Sequence, residues 1–243
     1  MSIRLAVGGV VVFFCSAVAG AQVIDFETLP GGSSTDNLAI SNQYQASFGV
    51  SFALDTNLDG LPDAALPIME ASGGLDPTSG FFNQTSGLDD TAEATFTSQL
   101  ANFFLRGDAA GAPVNLVITY NSPVSSAGGE IWDIDGASQA SERWQVKALS
   151  GIGVGSTLVT GALSPNGIDS TLDGKPWAFT LNAPTGLTFD HIVLQFSGTK
   201  TSGIGLAFDN FTPLLPEPAS IGLLALCAGA MTRRRGRAGS RGT

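Results

Sequence analysis

The sequence has few of the residues that most enzymes and metal-binding domains depend on. Its 243 residues include two cysteines, Cys15 and Cys227, and one histidine, His191. A lone histidine, with cysteines only near the two ends of the chain, does not provide the ligand set of a zinc site. No Gly-x-Ser-x-Gly motif precedes a helix-like segment, and no glycine-rich stretch leads into a helix that would hold a phosphate. The sequence therefore predicts no catalytic residues.

Basic residues are also scarce, and more than half of them lie near the ends. Residues 22–215 keep five of the 11 lysines and arginines and 20 of the 21 acidic residues, so the net charge of this body is −15. A body of this charge repels nucleic acid and anionic membranes, so neither is expected as a partner. It suits an extracellular environment rich in divalent cations, although an acidic surface also serves solubility alone.

The N-terminus has the pattern of a secretory signal peptide. Arg4 supplies a positive charge, residues 5–18 are nearly all apolar, and Ala19-Gly20-Ala21 offers a small-x-small cleavage site. We predict a signal peptide over residues 1–21; the alternative is a retained membrane anchor over residues 5–18. Cleavage would remove Cys15, and the body between the two ends has no cysteine, so neither a disulfide nor a thiol nucleophile is expected there.

The C-terminus has three parts in order: Pro216-Glu217-Pro218, the uncharged residues 219–231, and an arginine cluster that begins with Arg233, Arg234 and Arg235. The prolines delay any helix until about residue 219. Thirteen residues rising ~1.5 Å each span roughly 20 Å, less than the ~30 Å hydrocarbon core of a bilayer. We predict a short transmembrane helix over residues 219–231, with the arginine-rich tail 232–243 in the cytoplasm and the body outside.

This three-part tail resembles the PEP-CTERM sorting domain. The resemblance covers residues 214–243, a small part of the chain, and depends on Pro216, Glu217, Pro218 and the three successive arginines from Arg233 to Arg235. It implies an exosortase-type processing protease as a partner, transient anchoring in the membrane, and delivery to the cell envelope or the exopolymer matrix. The alternative is an ordinary single-span anchor in which the Pro-Glu-Pro is coincidental.

The body, residues 22–213, has the pattern of an all-β domain. Short runs rich in β-branched and aromatic residues recur between turn-forming residues, and no convincing amphipathic helix lies between them. About ten such runs favour one antiparallel β-sandwich, jelly-roll-like in type. Residues 55–92 have many turn formers and are expected to form a long loop. The predicted strands are Val23–Phe26, Val50–Leu54, Ala94–Phe96, Phe103–Arg106, Val114–Tyr120, Gly129–Ile134, Arg143–Leu149, Trp177–Leu181, His191–Phe196 and Ile204–Phe211.

The start of that predicted loop resembles a calcium-binding loop. Oxygen-bearing side chains occupy positions 1, 3, 5 and 9 of the run, glycine is at position 6, and the Leu61 carbonyl is at position 7. Position 12 is leucine, so a bidentate ligand would have to come from elsewhere, such as Glu70 or Asp76. The alternative is a turn whose side chains are solvated. The candidate ligands are Asp55, Asn57, Asp59, Leu61 and Asp63.

A second candidate calcium site joins the two ends of the body. Asp25-Phe26-Glu27 opens the body, and Phe208-Asp209-Asn210-Phe211 closes it. The arrangement loosely resembles carbohydrate-binding jelly rolls, in which the first and last strands share a structural calcium. The resemblance implies Glu27 and Asp209 as ligands. The alternative is that these acids only mark the wet ends of edge strands.

Two further patterns bear on activity. Asp133 and Asp135 alternate with Trp132 and Ile134, which would place both carboxylates on one face of a strand, about 7 Å apart. That spacing is compatible with a glycosidase pair, but Asp-x-Asp-Gly is more typical of a turn. His191 is expected to be a half-buried strand residue.

The tryptophans and tyrosines are potential sugar-stacking surfaces, although large aromatics in a sandwich usually lie in the core. Taken together, the sequence predicts a secreted, non-catalytic, calcium-stabilised module that binds carbohydrate or acts in adhesion. A purely structural matrix protein is the alternative, and a polysaccharide-active hydrolase is a weaker one.

Overall fold

The computed structural model describes residues 23–73, 81–83, 87–107, 111–135, 141–151, 157–165, 172–204 and 207–214. All of them lie within one compact unit, residues 21–216. Within this part of the chain, no helix has the length and apolar character needed to cross a membrane. The predicted signal peptide, the transmembrane helix, the arginine-rich tail and the sorting motif (Pro216, Glu217, Pro218, Arg233, Arg234 and Arg235) lie outside the described residues.

Within the described residues the chain forms thirteen strands and two four-residue helices. In chain order these are β1 (Leu38–Ala39), α1 (Gln45–Phe48), β2 (Val50–Asp55), β3 (Ile68–Ala71), β4 (Phe82–Asn83), β5 (Leu88–Asp89), α2 (Thr97–Leu100), β6 (Phe103–Arg106), β7 (Asn115–Val124), β8 (Ser126–Trp132), β9 (Trp144–Leu149), β10 (Thr157–Leu163), β11 (Pro176–Asn182), β12 (Phe189–Phe196) and β13 (Ala207–Leu214).

Two main sheets make up the fold. One has six strands in the order β1-β3-β6-β13-β8-β11, and the other has five in the order β10-β9-β12-β7-β2. Strands β4 and β5 form a small separate ribbon. Every paired strand runs antiparallel to its neighbour. The predicted all-β antiparallel sandwich is therefore confirmed.

Alternation along the strands explains why the two sheets pack face to face. On β9, Trp144, Val146 and Ala148 are buried and belong to the main core, whereas Gln145 and Lys147 are half-buried. Successive side chains of a strand point to opposite faces, so this pattern places one face of the sheet against the other sheet. β2 repeats the pattern with Val50, Phe52 and Leu54 buried, until its last residue, Asp55, which is buried as well.

Aromatic rings fill the centre of the sandwich. Phe26, Phe52 and Phe211 are mutual neighbours, with ring centroids 5.7 to 6.1 Å apart. Trp144 packs edge-on against a phenylalanine from each sheet, Phe196 at 5.4 Å and Phe208 at 5.5 Å. Edge-to-face contacts of this kind add to the stabilisation from burial. The rings therefore connect the first segment, both sheets and the last strand.

A second apolar cluster lies on the opposite face of the six-stranded sheet. Leu105 and Ile131 belong to the main core, and their chain neighbours Phe104 and Trp132 belong to the second cluster. Because neighbouring residues of a strand face opposite sides, these pairs show that the sheet is buried on both faces at this position. The segment around β4, β5 and α2 contributes Phe81, Ala92 and Leu100 to the covering layer.

One glycine allows close packing between strands in the core. A Cβ atom at Gly129 would lie 2.6 Å from Cδ1 of Phe211 and 2.9 Å from Cζ of Phe179. Glycine at this position of β8 therefore allows both rings to pack directly against the strand backbone.

The structure corrects three details of the predicted strand pattern. Ala94–Phe96 is a turn that leads into α2 and not a strand. The segment Val23–Phe26 contributes only one isolated bridge, between Ile24 and Phe211. Residues 55–92, expected to form a loop, include β3, β4 and β5. The β3 strand pairs with the distant strand β6, which a local pattern does not show, whereas β4 and β5 are two-residue strands that pair only with each other and are too short to give an alternating pattern.

Candidate functional site

The predicted calcium loop is organised around Asp55, the last residue of β2. The Asp55 side chain is fully buried, and its Oδ2 accepts hydrogen bonds from the Gly60 backbone at 2.7 Å and from Nδ2 of Asn115 at 2.6 Å. Its Oδ1 accepts from the Asp59 backbone at 3.1 Å. Asp55 therefore ties the loop to the neighbouring strand β7.

The other oxygens of the loop also accept hydrogen bonds from nearby groups. Oδ1 of Asn57 accepts from the Asp59 backbone at 2.9 Å, and Oδ1 of Asp59 accepts from the Leu61 backbone at 2.9 Å. Oδ2 of Asp63 accepts from the backbone and hydroxyl of Thr56, which lowers the Asp63 pKa. The loop is thus held by its own side chains, and calcium binding there stays a prediction.

Glu70, one of the two side chains considered as an additional ligand for this loop, lies elsewhere. It is on β3 of the six-stranded sheet, fully buried, and forms an ion pair with Arg106. The other residue considered, Asp76, lies outside the described residues.

The structure brings the predicted pair Glu27 and Asp209 into one acidic region. The Ile24–Phe211 bridge places the first segment beside β13, which contains Asp209. Oε1 of Glu27 accepts from the backbones of Asn102 at 2.7 Å and Phe103 at 2.9 Å, and its Oε2 accepts from Nδ2 of Asn102 at 2.6 Å. Glu27 therefore also fastens the first segment to the start of β6.

The Asp209 carboxyl is buried in this region and has a raised pKa. It is 1% exposed, and burial raises its pKa well above the usual range; the carboxylates of Glu130, Asp25 and Glu27 raise it further. A hydrogen bond from the Asn210 backbone, at 2.7 Å, acts in the opposite direction. The ion pairs found among the described residues join other acids, so no basic side chain in that part of the chain is paired with Asp209.

A third acidic group was not recognised as a metal site from the sequence. Asp133, Asp135 and Asp173 each offer a carboxylate oxygen, and these oxygens lie within 4.8 Å of one another. Asp133 follows β8, Asp173 precedes β11, and Trp132 pairs with Pro176 where the two strands meet. Residues 40 positions apart thus meet at one end of the sandwich. Of the described residues, only these three form such a converging group.

Neighbouring groups fix the geometry of this acidic group. Oδ1 of Asp133 accepts from the Gly174 backbone at 2.8 Å. The Asp135 backbone donates to Oε2 of Glu142 at 3.2 Å, and the other Glu142 oxygen pairs with Lys200. Burial raises the Glu142 pKa, and the Asp135 carboxylate adds to that shift, whereas Lys200 and the hydrogen bond from the Asp135 backbone oppose it.

The structure does not support the interpretation of Asp133 and Asp135 as a catalytic pair on one strand face. β8 ends at Trp132, and Asp133 has a φ of 64°, so the alternation expected for a strand stops there. Trp132 and Ile134, expected on one face, belong to different apolar clusters. Asp133 is also only 2% exposed, which keeps a polymeric substrate from reaching its carboxylate.

Comparisons with known proteins give only distant similarities. No family model matches the sequence, and no curated protein matches it. Among solved structures, the K3 cleaved adhesin domain of Lys-gingipain from Porphyromonas gingivalis is 14% identical; the match covers 73% of this chain and 96% of that domain, with a TM-score of 0.31. A family 6 carbohydrate-binding module from Clostridium stercorarium, in complex with cellobiose, is 16% identical; 44% of this chain and 70% of the module are covered, with a TM-score of 0.26. Identities and TM-scores this low carry no inference about a ligand of this chain.

The aromatic side chains offer few stacking surfaces. Trp132, Trp144 and Tyr44 are at most 1% exposed, and Tyr120 is 5% exposed. Trp177 is half-buried and packs against the main core. These five residues therefore serve mainly as core, and any sugar contact involving them would be limited to the exposed part of Trp177.

Proposed function

We propose that the protein is a secreted, non-catalytic module of the cell envelope or exopolysaccharide matrix, with a jelly-roll-like, calcium-stabilised body that binds carbohydrate or mediates adhesion. In this proposal the tail from Pro216 onward is a PEP-CTERM signal, processed by an exosortase-type protease after transient anchoring of the C-terminal helix in the membrane. Both the signal and the protease are inferred from the sequence.

The observation that most supports calcium is the burial of Asp209 among other carboxylates. A buried charge without a counter-ion is costly, and such a group either binds a proton or is compensated by a cation. Calcium favours six to eight oxygen ligands, including carboxylates and backbone carbonyls. In this proposal Asp209 and Glu27 would supply carboxylate oxygens to such a site, and Asp25 and Glu130 are the charged neighbours that also act on the Asp209 pKa.

The group of Asp133, Asp135 and Asp173 is a further candidate calcium position, because its carboxylates are also oxygen ligands. Three carboxylate oxygens within 4.8 Å of one another can contact one cation. Bound calcium would supply charge compensation and cross-link the ends of β8 and β11. The residues themselves would hold the ion and exclude water, with no role in bond cleavage.

Carbohydrate binding is tested by affinity electrophoresis of the purified protein through gels that contain soluble polysaccharides, with calcium and with chelator. The proposal predicts retardation by at least one acidic or neutral polysaccharide in calcium. A glycan array gives an independent readout. Absence of retardation on every gel, together with a blank array, would contradict a carbohydrate-binding role.

A purely structural matrix role is the second candidate, and the burial of the aromatic residues favours it. Modules that bind sugars by stacking need exposed rings. Here Trp132 and Trp144 are in apolar clusters and not on the surface. A structural protein would keep its calcium-dependent stability but show no retardation by any polysaccharide.

Sorting is tested by the intact mass of the mature protein from the envelope fraction. The proposal predicts a chain that begins near Gln22 and ends near Pro216. A mass that retains the arginines from Arg233 onward would show that the C-terminal segment is an ordinary anchor.

A further inference from the structure

Four strands form the edges of the two main sheets, and three of these edges are protected. β1 and β11 are the edges of the six-stranded sheet, and β10 and β2 are those of the five-stranded sheet. β1 has only two residues, and β10 has two register shifts against β9. On β2 the backbone of Phe52 donates to the Ser41 carbonyl at 2.8 Å, so a neighbouring segment covers this edge. Short length, irregular pairing and a covering segment all keep a sheet edge from pairing with another chain.

β11 has none of these three protections within the described part of the chain. Its seven residues, Pro176–Asn182, pair with β8 without a register shift. None of its side chains is charged, and its one proline is the first residue, where a strand tolerates it. Among the described residues no strand pairs with the other side of β11. β11 is therefore an open edge.

The backbone groups on this open edge can be identified from the hydrogen bonds at both ends of the β8–β11 ladder. The Asp133 backbone donates to the Lys175 carbonyl at 3.2 Å, and the Ala183 backbone donates to the Ser125 carbonyl at 2.8 Å. Hydrogen-bonded pairs alternate along an antiparallel ladder, so the odd-numbered residues from 175 to 183 bond to β8. The even-numbered residues direct their backbone groups away from β8. Ala178, Thr180 and Asn182 are these residues, and all three are exposed.

β10 approaches β11 from the core side and does not pair with this edge. A Cβ atom at Gly161 of β10 would lie 2.8 Å from Cδ2 of Leu181. The Leu181 side chain belongs to the main core, so the contact lies between the two sheets. Where the structure describes both strands, β10 pairs with β9 and β11 pairs with β8, and neither pairs with the other.

The charge distribution indicates which partner this edge can accept. The body has a net charge of −15, so two copies repel each other where their acidic surfaces meet. Residues 176–189 have no charged side chain, and neither does β10. Glu130, opposite Ala178 on β8, is one strand further in, and its oxygens accept from Gln99 and Asn210. Two copies can therefore approach through β11 with little repulsion.

We propose that β11 is the interface between two copies of this chain, which pair antiparallel about a two-fold axis and join their six-stranded sheets. A two-fold interface uses the same patch on both copies. With Thr180 opposite itself, Ala178 lies opposite Asn182, and the outward backbone groups of all three residues are used. On the core side this register places Phe179 opposite Leu181, an apolar pair that stabilises a sheet. The interface depends neither on calcium nor on carbohydrate binding.

Sedimentation velocity of the purified protein at increasing concentration, with calcium and with chelator, tests this pairing. An interface of one strand edge is small, and small interfaces are weak. We therefore expect monomer at low concentration and dimer at high concentration in both conditions. A wild type that stays monomeric up to about 1 mM would overturn the proposal, even if the edge pairs with an extended segment of another protein.

Two substitutions of Thr180 separate pairing through β11 from association through any other part of the chain. Thr180→Pro keeps the β8 ladder, because the Thr180 N–H points away from β8, but it removes two hydrogen bonds across the two-fold axis. We expect the Kd of the dimer to rise at least about tenfold. Thr180→Val has nearly the same shape and keeps the N–H, so it should dimerise like the wild type. An unchanged Kd in a folded Thr180→Pro would overturn the proposal.

A pair of charged variants tests the register and does not depend on the proline variant folding. Thr180→Lys and Thr180→Glu each place two like charges opposite each other across the axis, so each variant alone should be monomeric. An equimolar mixture should form a dimer, because the opposite charges then face each other. Near-ultraviolet circular dichroism checks that both variants are folded. A dimer that persists in Thr180→Lys alone, or a mixture that stays monomeric, would contradict pairing at this strand.

Discussion

Asp209→Asn is the substitution that tests the electrostatics of the body most sharply. Asparagine has nearly the same shape, and its Oδ1 can still accept the hydrogen bond that the Asn210 backbone gives to Asp209 at 2.7 Å. The change therefore removes the charge and, with it, only the long 3.4 Å hydrogen bond that Oδ2 accepts from Nδ2 of Asn210. Without calcium, that charge is buried beside Glu130, Asp25 and Glu27 and destabilises the folded state.

In chelator, we expect Asp209→Asn to raise the free energy of unfolding by about 1–3 kcal/mol, the cost typical of an uncompensated buried polar group. For a domain of this size this corresponds to a rise in melting temperature of roughly 2–12 °C. In calcium the wild type should gain about 2.7 kcal/mol when free calcium is 100 times Kd. The variant should lose most of that gain.

Differential scanning calorimetry of both proteins, each with calcium and with chelator, measures the four values. Asp89→Asn is the matched control, since it removes an exposed charge and should change neither value appreciably. The reasoning is refuted if Asp209→Asn is less stable than the wild type in chelator, or if both proteins gain equally from calcium.

Three further predictions concern the pH dependence due to Asp209, the ion pair between Lys200 and Glu142, and the packing at Gly129. In chelator, the free energy of unfolding should fall as the pH rises from about 4, the pKa of an aspartate in the unfolded chain, through the higher pKa of Asp209 in the folded protein. The cause is that the folded state keeps the Asp209 proton to a higher pH than the unfolded state does. Urea titrations across this pH range measure the slope, and a free energy of unfolding that rises with pH would contradict the prediction. Lys200→Ala should lower the free energy of unfolding by about 1–3 kcal/mol, less than the loss of a fully buried ion pair because the lysine is partly exposed. Adding Glu142→Gln should restore most of that free energy, as measured by urea denaturation. No recovery in the double variant would exclude an electrostatic cause. Gly129→Ala should lower the free energy of unfolding by about 1–3 kcal/mol through overpacking against Phe211. Gly32→Ala, whose Cβ would lie 3.5 Å from Leu29, should leave it nearly unchanged. Equal urea midpoints of unfolding for the two variants would refute the packing argument.

The alternating pattern of apolar and polar residues predicted the long strands well. β9 shows why: the period of two in Trp144, Val146 and Ala148 is a direct consequence of strand geometry and needs no knowledge of the partner strand. β10 was missed because Thr157–Leu163 is an edge strand with no fully buried residue, and its two side chains that pack on the core, Leu158 and Val159, are adjacent and do not alternate. Ala94–Phe96 was wrongly assigned because an aromatic residue in a short run also occurs in turns.

Some features of the candidate sites could be predicted from the sequence, and others could not. The sequence placed Glu27 near Asp209 only through the resemblance to carbohydrate-binding jelly rolls, and their role as calcium ligands stays a prediction. Asp173 could not be joined to Asp133, since only the pairing of β8 with β11 brings residues 40 positions apart into contact. The burial of His191 was also hidden, because its cover comes from a loop more than a hundred residues earlier in the chain.

The central claim, a calcium-stabilised body, is tested most directly by isothermal titration calorimetry of calcium into the chelator-treated protein. The account predicts saturable binding of at least one calcium per chain, with a Kd no weaker than about 10⁻³ M, the range of extracellular modules. It also predicts weaker binding in Asp209→Asn. The absence of any saturable heat up to about ten times that concentration would contradict the account.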